Sequence, residues 1–241
     1  GNLVVVWTTY GADWSETDVR GRLFDAAGNP QGDEFSINPS WEGYDSSPVV
    51  ARNAAGDFAV VWQAWSWDGS FPGGIYLRFF NAAGTPQQDP ILVMQGGDSP
   101  DVAIDAAGNV MVVWTEYVSS GNPADVHGRR YDHLGAPQGD AFRMNTYRTG
   151  RQDDPAVALD AAGNGVVVWD SDIQDGNGGV YAQRFDAAGQ PVGAEFRVST
   201  SNETWLRNAE NPTVAMEEGG SFVIAWSDLR PDTWNREIYV R

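Results

Sequence analysis

The sequence contains no cysteine. Disulfides, thiolate zinc sites and cysteine nucleophiles are therefore excluded. It has only two histidines, His127 and His133, which rules out a multi-histidine metal site. Lysine is absent as well: all 15 basic residues are arginine, set against 33 acidic ones. The formal charge of −18 repels nucleic acid and anionic lipid and attracts cations. Long apolar runs are also missing. The longest, such as Val110–Trp114 and Val166–Trp169, fall far short of the roughly 18 residues that cross a bilayer as a helix. No segment combines helical periodicity with caps, and none reads as a signal peptide. The chain opens in mid-pattern at Gly1, which reads as the last residue of a further turn. More repeat upstream is therefore expected, with any targeting segment outside this sequence.

What the chain has in abundance is glycine, tryptophan and repetition. Turns of the form Asp/Asn-x-x-Gly begin at Asp25, Asn53, Asn81, Asp105, Asp132, Asp160 and Asp186, and Glu217–Gly220 is a looser eighth copy. Each supplies a side-chain acceptor, two ordinary residues and a glycine for a left-handed position, the chemistry of a β-hairpin connection. None has the spacing of a phosphate loop. Four of the tips precede an apolar run ending in Trp62, Trp114, Trp169 or Trp226, and the opening run ends in Trp7. These tryptophans are 52 to 57 residues apart. The other tips join two alternating strands, as in "GVYAQRF" and "AEFRV". Short segments at Pro48, Pro100, Pro155 and Pro212, of the form Pro-x-Val-Ala, precede the repeats.

Each repeat is thus four strands in positions A to D: Pro-x-Val-Ala, the run ending in tryptophan, "IYxxRF" and "EFxV". A period near 50 residues with four strands per unit predicts an all-β fold, a β-propeller of four-stranded antiparallel blades. The five repeats span about 1–46, 47–98, 99–153, 154–210 and 211–241, in one domain. The first lacks strand A and the last lacks strand D.

The repeat "VVVW…GxxGIYxQRFDxxGxPxGxEFxVN" resembles that of secreted and cell-surface bacterial β-propellers, distantly similar to sialidase-like Asp-box propellers. The segment 225–241, "AWSDLRPDTWNREIYVR", is closest to it. The resemblance implies an extracellular or cell-surface module of a larger protein. The Asp-box position reads "RFDAAGQPVG", keeping the aspartate and glycine but not the serine or tryptophan.

Recurring residues are frame, so function is sought in what does not recur. The connections B–C and D–A lie at one end of a propeller. They hold Trp14, Trp41, Tyr44, Trp65, Trp67, Tyr117, Tyr147, Trp205 and Trp234, with Arg148, Arg151, Arg207 and Arg230. Flat aromatics beside arginine are how proteins hold sugar rings or peptide segments. Extracellular binding of a glycan or protein through this loop end is the first expectation. The second is a glycoside hydrolase, arabinanase- or sialidase-like. Acids stand before each strand A at Asp45, Asp98, Asp153, Asp154 and Glu210, and a carboxylate pair is what acid–base hydrolysis requires. Arabinanase-like glycosidases place carboxylates comparably. Against this, acids in every repeat look like frame rather than site. The third expectation is a structural spacer without a ligand. No nucleic acid and no membrane insertion are expected. "DSDIQDGNG" puts Asp170, Asp172, Asp175 and Asn177 in one loop, an oxygen set suited to Ca2+. Both histidines are expected at the surface.

Overall fold

A computed structural model describes residues 2–11, 17–38, 43–66, 68–117, 123–176, 178–200, 209–229 and 235–241. The first blade holds β1 (Leu3–Tyr10), β2 (Thr17–Phe24) and β3 (Phe35–Ser36). The second holds β4 (Gly43–Arg52), β5 (Phe58–Ser66), β6 (Gly74–Phe80) and β7 (Ile91–Gln95). The third runs through β8 (Asp98–Ile104), β9 (Val110–Tyr117), β10 (Ala124–Tyr131) and β11 (Phe142–Arg143). The fourth comprises β12 (Gln152–Leu159), β13 (Gly165–Ser171), β14 (Gly179–Phe185) and β15 (Pro191–Arg197). The fifth has β16 (Ala209–Met216), β17 (Phe222–Leu229) and β18 (Arg236–Val240). Within each blade, consecutive strands pair antiparallel. Strands β4, β8, β12 and β16 pack in succession against one another, so position A is innermost. The fold is a β-propeller.

The tips do what their chemistry dictates. Their eight glycines have φ between 79° and 99°. At Asp25, Asp105 and Asp160 one carboxylate oxygen accepts the backbone N–H two and four residues on, at 2.8–2.9 Å. At the opposite end, single parallel pairings tie each of the first three blades to the next: Thr17 to Tyr44, Gly74 to Gly96 and Ala124 to Arg151. The arginines two residues before the last aromatic of strand C are structural. Arg22, Arg78 and Arg129 donate from Nε to the carbonyls of Gly32, Gln88 and Gly139 at 3.0–3.1 Å. Each guanidinium also lies over the aromatic ring two residues on. They clamp the outer arm of a blade to strand C.

The core lies between blades. Because side chains alternate across a strand, position B splits its apolar run between two neighbours. Phe58, Val60 and Trp62 pack with Val19 and Ile37 of the first blade. Ala59 and Val61 pack with Val102, Val112 and Trp114 of the third. The pattern repeats onward. Trp62, Trp114 and Trp169 are fully buried and Trp226 nearly so. Trp7 is half-buried. Tyr76 and Tyr239 stack on Trp62 and Trp226, and His127 stacks on Trp114 at 6.4 Å. His127 is therefore half-buried, with Nδ1 3.2 Å from Glu116 Oε2, rather than a plain surface residue. His133 is exposed on a tip.

Strand A is longer than Pro-x-Val-Ala predicts. The prolines stand inside the strands, at β-bulges between Ser46 and Val49, Asp98 and Asp101, Asp153 and Ala156, and Glu210 and Thr213. Proline cannot donate to a ladder, and a bulge is where a sheet tolerates it. The residue before each proline adopts the left-handed region: Ser47, Ser99, Asp154 and Asn211 have φ of 47° to 52°.

Candidate functional site

These bulges decide where the acids go. Across the ladder, Asp98 faces Thr115, Asp153 faces Asp170 and Glu210 faces Ser227. The corresponding residue in the second blade is Ser46, opposite Gln63. Asp45 is one rung off, opposite Ala64, and Asp154 occupies the left-handed position shared with Ser99. Asp98, Asp153 and Glu210 thus share one register position, whereas Asp45 and Asp154 stand outside it, so the acids before each strand A are not one uniform ring.

Asp45 is a core group. It is fully buried, accepts Trp62 Nε1–H at 3.0 Å and Asn38 Nδ2–H at 2.8 Å, and its backbone N–H donates to the Thr17 hydroxyl at 2.6 Å. Burial pushes its carboxyl up to about 7, against the lowering effect of the Trp62 bond; the nearby Asp18 raises it further. The same rung carries Gly97, Gln152 and Ala209 in the other blades. Among the described residues, the indoles of Trp114, Trp169 and Trp226 have no recorded acceptor.

Between the third and fourth blades, acids gather at the loop end of the inner strands. Asp98 and Asp101 flank the β8 bulge. Their partners are Thr115 and Val113, two rungs apart. The bulge leaves the two aspartates about 7 Å apart along the strand backbone, with Asp98 bonded toward the second blade and Asp101 toward the fourth. Their environments differ. Asp98 Oδ1 accepts from Gln63 Nε2 and from the Ser99 backbone N–H, each at 2.8 Å. Asp101 accepts the Val157 N–H of the neighbouring inner strand at 2.8 Å, and burial pushes its carboxyl up to about 6. Both residues keep part of their surface open. Ser99 Oγ donates to Asp154 Oδ1 at 2.8 Å, so a third carboxylate adjoins the pair. Arg151 forms an ion pair with Asp153 and lies over the Tyr117 ring at 5.9 Å. Burial and the charge of Asp98 hold the Tyr117 phenol above its ordinary value. Asp101 was not among the sequence candidates. Its signal was present: directly after the proline, the other repeats carry Val49, Ala156 and Thr213.

The loop-end aromatics fall into local contacts. Trp65 lies near the end of β5, opposite Tyr44, and is exposed beside a shallow cleft of about 650 Å³ with Phe71 and Pro72. Tyr147 donates to the Ile173 carbonyl at 3.4 Å, and Arg148 is exposed. Trp14, Trp41, Trp67, Trp205, Arg207, Arg230 and Trp234 lie outside the described residues. Of the calcium set, Asp170 is buried in β13 opposite Asp153, and Asp175 accepts the Tyr181 hydroxyl at 3.0 Å. Asp172 follows β13, and Asn177 lies outside the described residues. Among the described residues, no three acids or histidines converge as a metal site. Glu210 pairs with Arg236 at 2.7 Å.

No protein-family model matches the chain, and no curated protein sequence matches it. Solved structures do. An α-L-arabinofuranosidase from Fusarium graminearum aligns with a TM-score of 0.62 at 12% identity, covering 100% of this chain and 71% of that one. An α-L-arabinanase from Penicillium chrysogenum, solved with arabinobiose, gives 0.62 at 13% identity with the same coverage. A protein of unknown function from Dyadobacter fermentans gives 0.66 at 10% identity, covering 100% and 75%. The chain shares the β-propeller fold of these structures.

Proposed function

We propose that the chain is a glycoside hydrolase that cleaves an arabinose-containing glycan at the loop end of β8 and β12. The observation that carries this reading is the pair Asp98 and Asp101 flanking the β8 bulge, two acids of unlike environment whose backbone positions lie about 7 Å apart along one strand. Glycoside hydrolysis uses two carboxyls separated by roughly 5 to 10 Å, one protonated and one ionised. Asp101, pushed up to about 6 by burial, is the proton donor to the departing sugar oxygen. Asp98, held by two donated hydrogen bonds, is the carboxylate that activates water or attacks the anomeric carbon. Asp154 and Ser99 position the pair, and Arg151 and Tyr117 border the sugar. The likeness in fold to enzymes acting on arabinan supports arabinose as the sugar.

Release of reducing ends from linear arabino-oligosaccharides tests the reading. The wild-type chain turns them over, Asp98→Asn does not, and Glu210→Gln, its register mate in the fifth blade, does. No turnover by the wild type on any arabinose-containing glycan, or equal loss in both variants, would overturn it.

A further inference from the structure

Strand β5 carries an open indole just past the residue that reaches Asp98. Gln63 stands opposite Ser46 and Trp65 opposite Tyr44, so the ladder is regular here. The two residues therefore share one face of the strand, about 7 Å apart. Gln63 Nε2 donates to Asp98 Oδ1 at 2.8 Å and to the Gly97 carbonyl at 3.3 Å. The pairing of β5 with β6 stops at Ala64 and Gly74, so Trp65 lies past the last rung of that ladder. It is 47% exposed, whereas the other described tryptophans are buried or half-buried.

The ring is held rather than loose. A Cβ built on Gly73 would sit 2.9 Å from Trp65 Cε3, so glycine is what lets the chain lie against the benzo ring. The Gly73 carbonyl accepts the Gly96 N–H at 3.1 Å. Gly96 and Gly97, with φ of 79° and 75°, then turn the chain from the cleft into Asp98. On the other wall, the Pro72 carbonyl accepts the Tyr76 hydroxyl at 2.6 Å, and Phe71 meets the Tyr76 ring edge-on. The polar lining is Ser66, Ser70 and Gln95. Asp68 accepts the Ser66 hydroxyl and the Ser70 backbone N–H, each at 2.8 Å. Hydrogen bonds from Ser70 and Ser66 hold its carboxyl down to about 2, so it is a fixed anion behind the serines.

We infer that Trp65 is a sugar platform, on which a neutral sugar unit stacks while the same glycan reaches Asp98 and Asp101. The inference rests on the hydrolase reading for where the chain is cut, and not for the platform itself. The C–H face of a sugar ring packs on a flat indole, and the hydroxyls at its edge bond to Gln95, Ser66 and Ser70. The fixed charge of Asp68, in a chain of net charge −18, selects against an acidic sugar.

Two measurements on Trp65→Ala and Trp65→Phe test this. Binding of arabinohexaose is read by calorimetry in chains that also carry Asp98→Asn, so that the ligand survives. Turnover of an aryl arabinoside, too short to reach Trp65, is read without that change. Trp65→Ala weakens hexaose binding roughly tenfold. Trp65→Phe, which keeps a flat ring, recovers most of it, and both variants cleave the aryl arabinoside as the wild type does. Unchanged hexaose affinity in Trp65→Ala, equal loss in both variants, or equally tight binding of an oligogalacturonide overturns the inference. Trp65-dependent binding by a chain that cleaves nothing upholds the platform and overturns the hydrolase alone.

Discussion

The two ends of this propeller follow opposite habits. At the turn end, eight tips repeat one solution: a side-chain acceptor or its glutamate substitute, and a glycine at positive φ. At the other end, the bulged inner strands share a backbone but not their side chains. The left-handed position holds Ser47, Ser99, Asp154 and Asn211, and the residue after proline is Val49, Asp101, Ala156 or Thr213. The tips close hairpins, a task that is identical in every blade, so their chemistry repeats. The bulges only have to accommodate a proline, which leaves the flanking side chains unconstrained. Chemistry gathers where the backbone repeats and the residues do not.

The comparison is broken first by activity. Asp98→Asn and Asp101→Asn each lower turnover of arabino-oligosaccharides by about 10²–10⁴-fold, the usual contribution of a positioned acid or base. Substitution at the equivalent rungs, Ser46→Ala and Thr213→Ala, leaves it unchanged. Next come the indoles. Trp114→Ala costs roughly 3–5 kcal/mol in denaturant unfolding. Trp7→Ala, at the half-buried outer face, costs clearly less in the same assay.

A buried acid then sharpens the contrast between scaffold and site. Asp45 is held neutral up to about 7 when folded and ionises near its ordinary 3.8 when unfolded. The folded state therefore binds more protons between those values, and stability falls as pH rises from about 4 to 7. Above about 7 the loss is complete. Asp45→Asn removes this slope and raises stability at pH 8 by an amount on the order of 2–4 kcal/mol, read from melting across pH. Asp101 adds a slope of the same sign up to about 6, which persists in that variant. The smallest effect belongs to a tip. Nothing approaches a Cβ built on Gly28, so Gly28→Ala costs only the left-handed backbone term. That is about 1 kcal/mol, measurable by denaturant unfolding.

Most of the frame was legible in the residues. Tips and tryptophans recur, and a recurrence marks positions that every blade needs, so strand count, order and core follow from it. The acids were harder. Read by nearness to the strand, Asp45 joins Asp98 and Glu210. Counted from the proline, Asp45 lies three residues before Pro48, whereas Asp98, Asp153 and Glu210 lie two before theirs. That single rung separates a core carboxyl bonded to Trp62 from one bonded to Gln63 and the Ser99 backbone. The bulge between Asp98 and Asp101 depends on a left-handed backbone at Ser99, which no residue type announces. The loop aromatics have no repeat to serve as template, since each connection differs in length and composition.

The central claim is that Asp101 hands a proton to the departing sugar. The most direct test compares Asp101→Asn on two substrates, an arabino-oligosaccharide and an aryl arabinoside whose leaving group departs without protonation. The account predicts that the variant loses the first activity and keeps most of the second. Equal losses on both substrates, or full activity on the oligosaccharide, would contradict it.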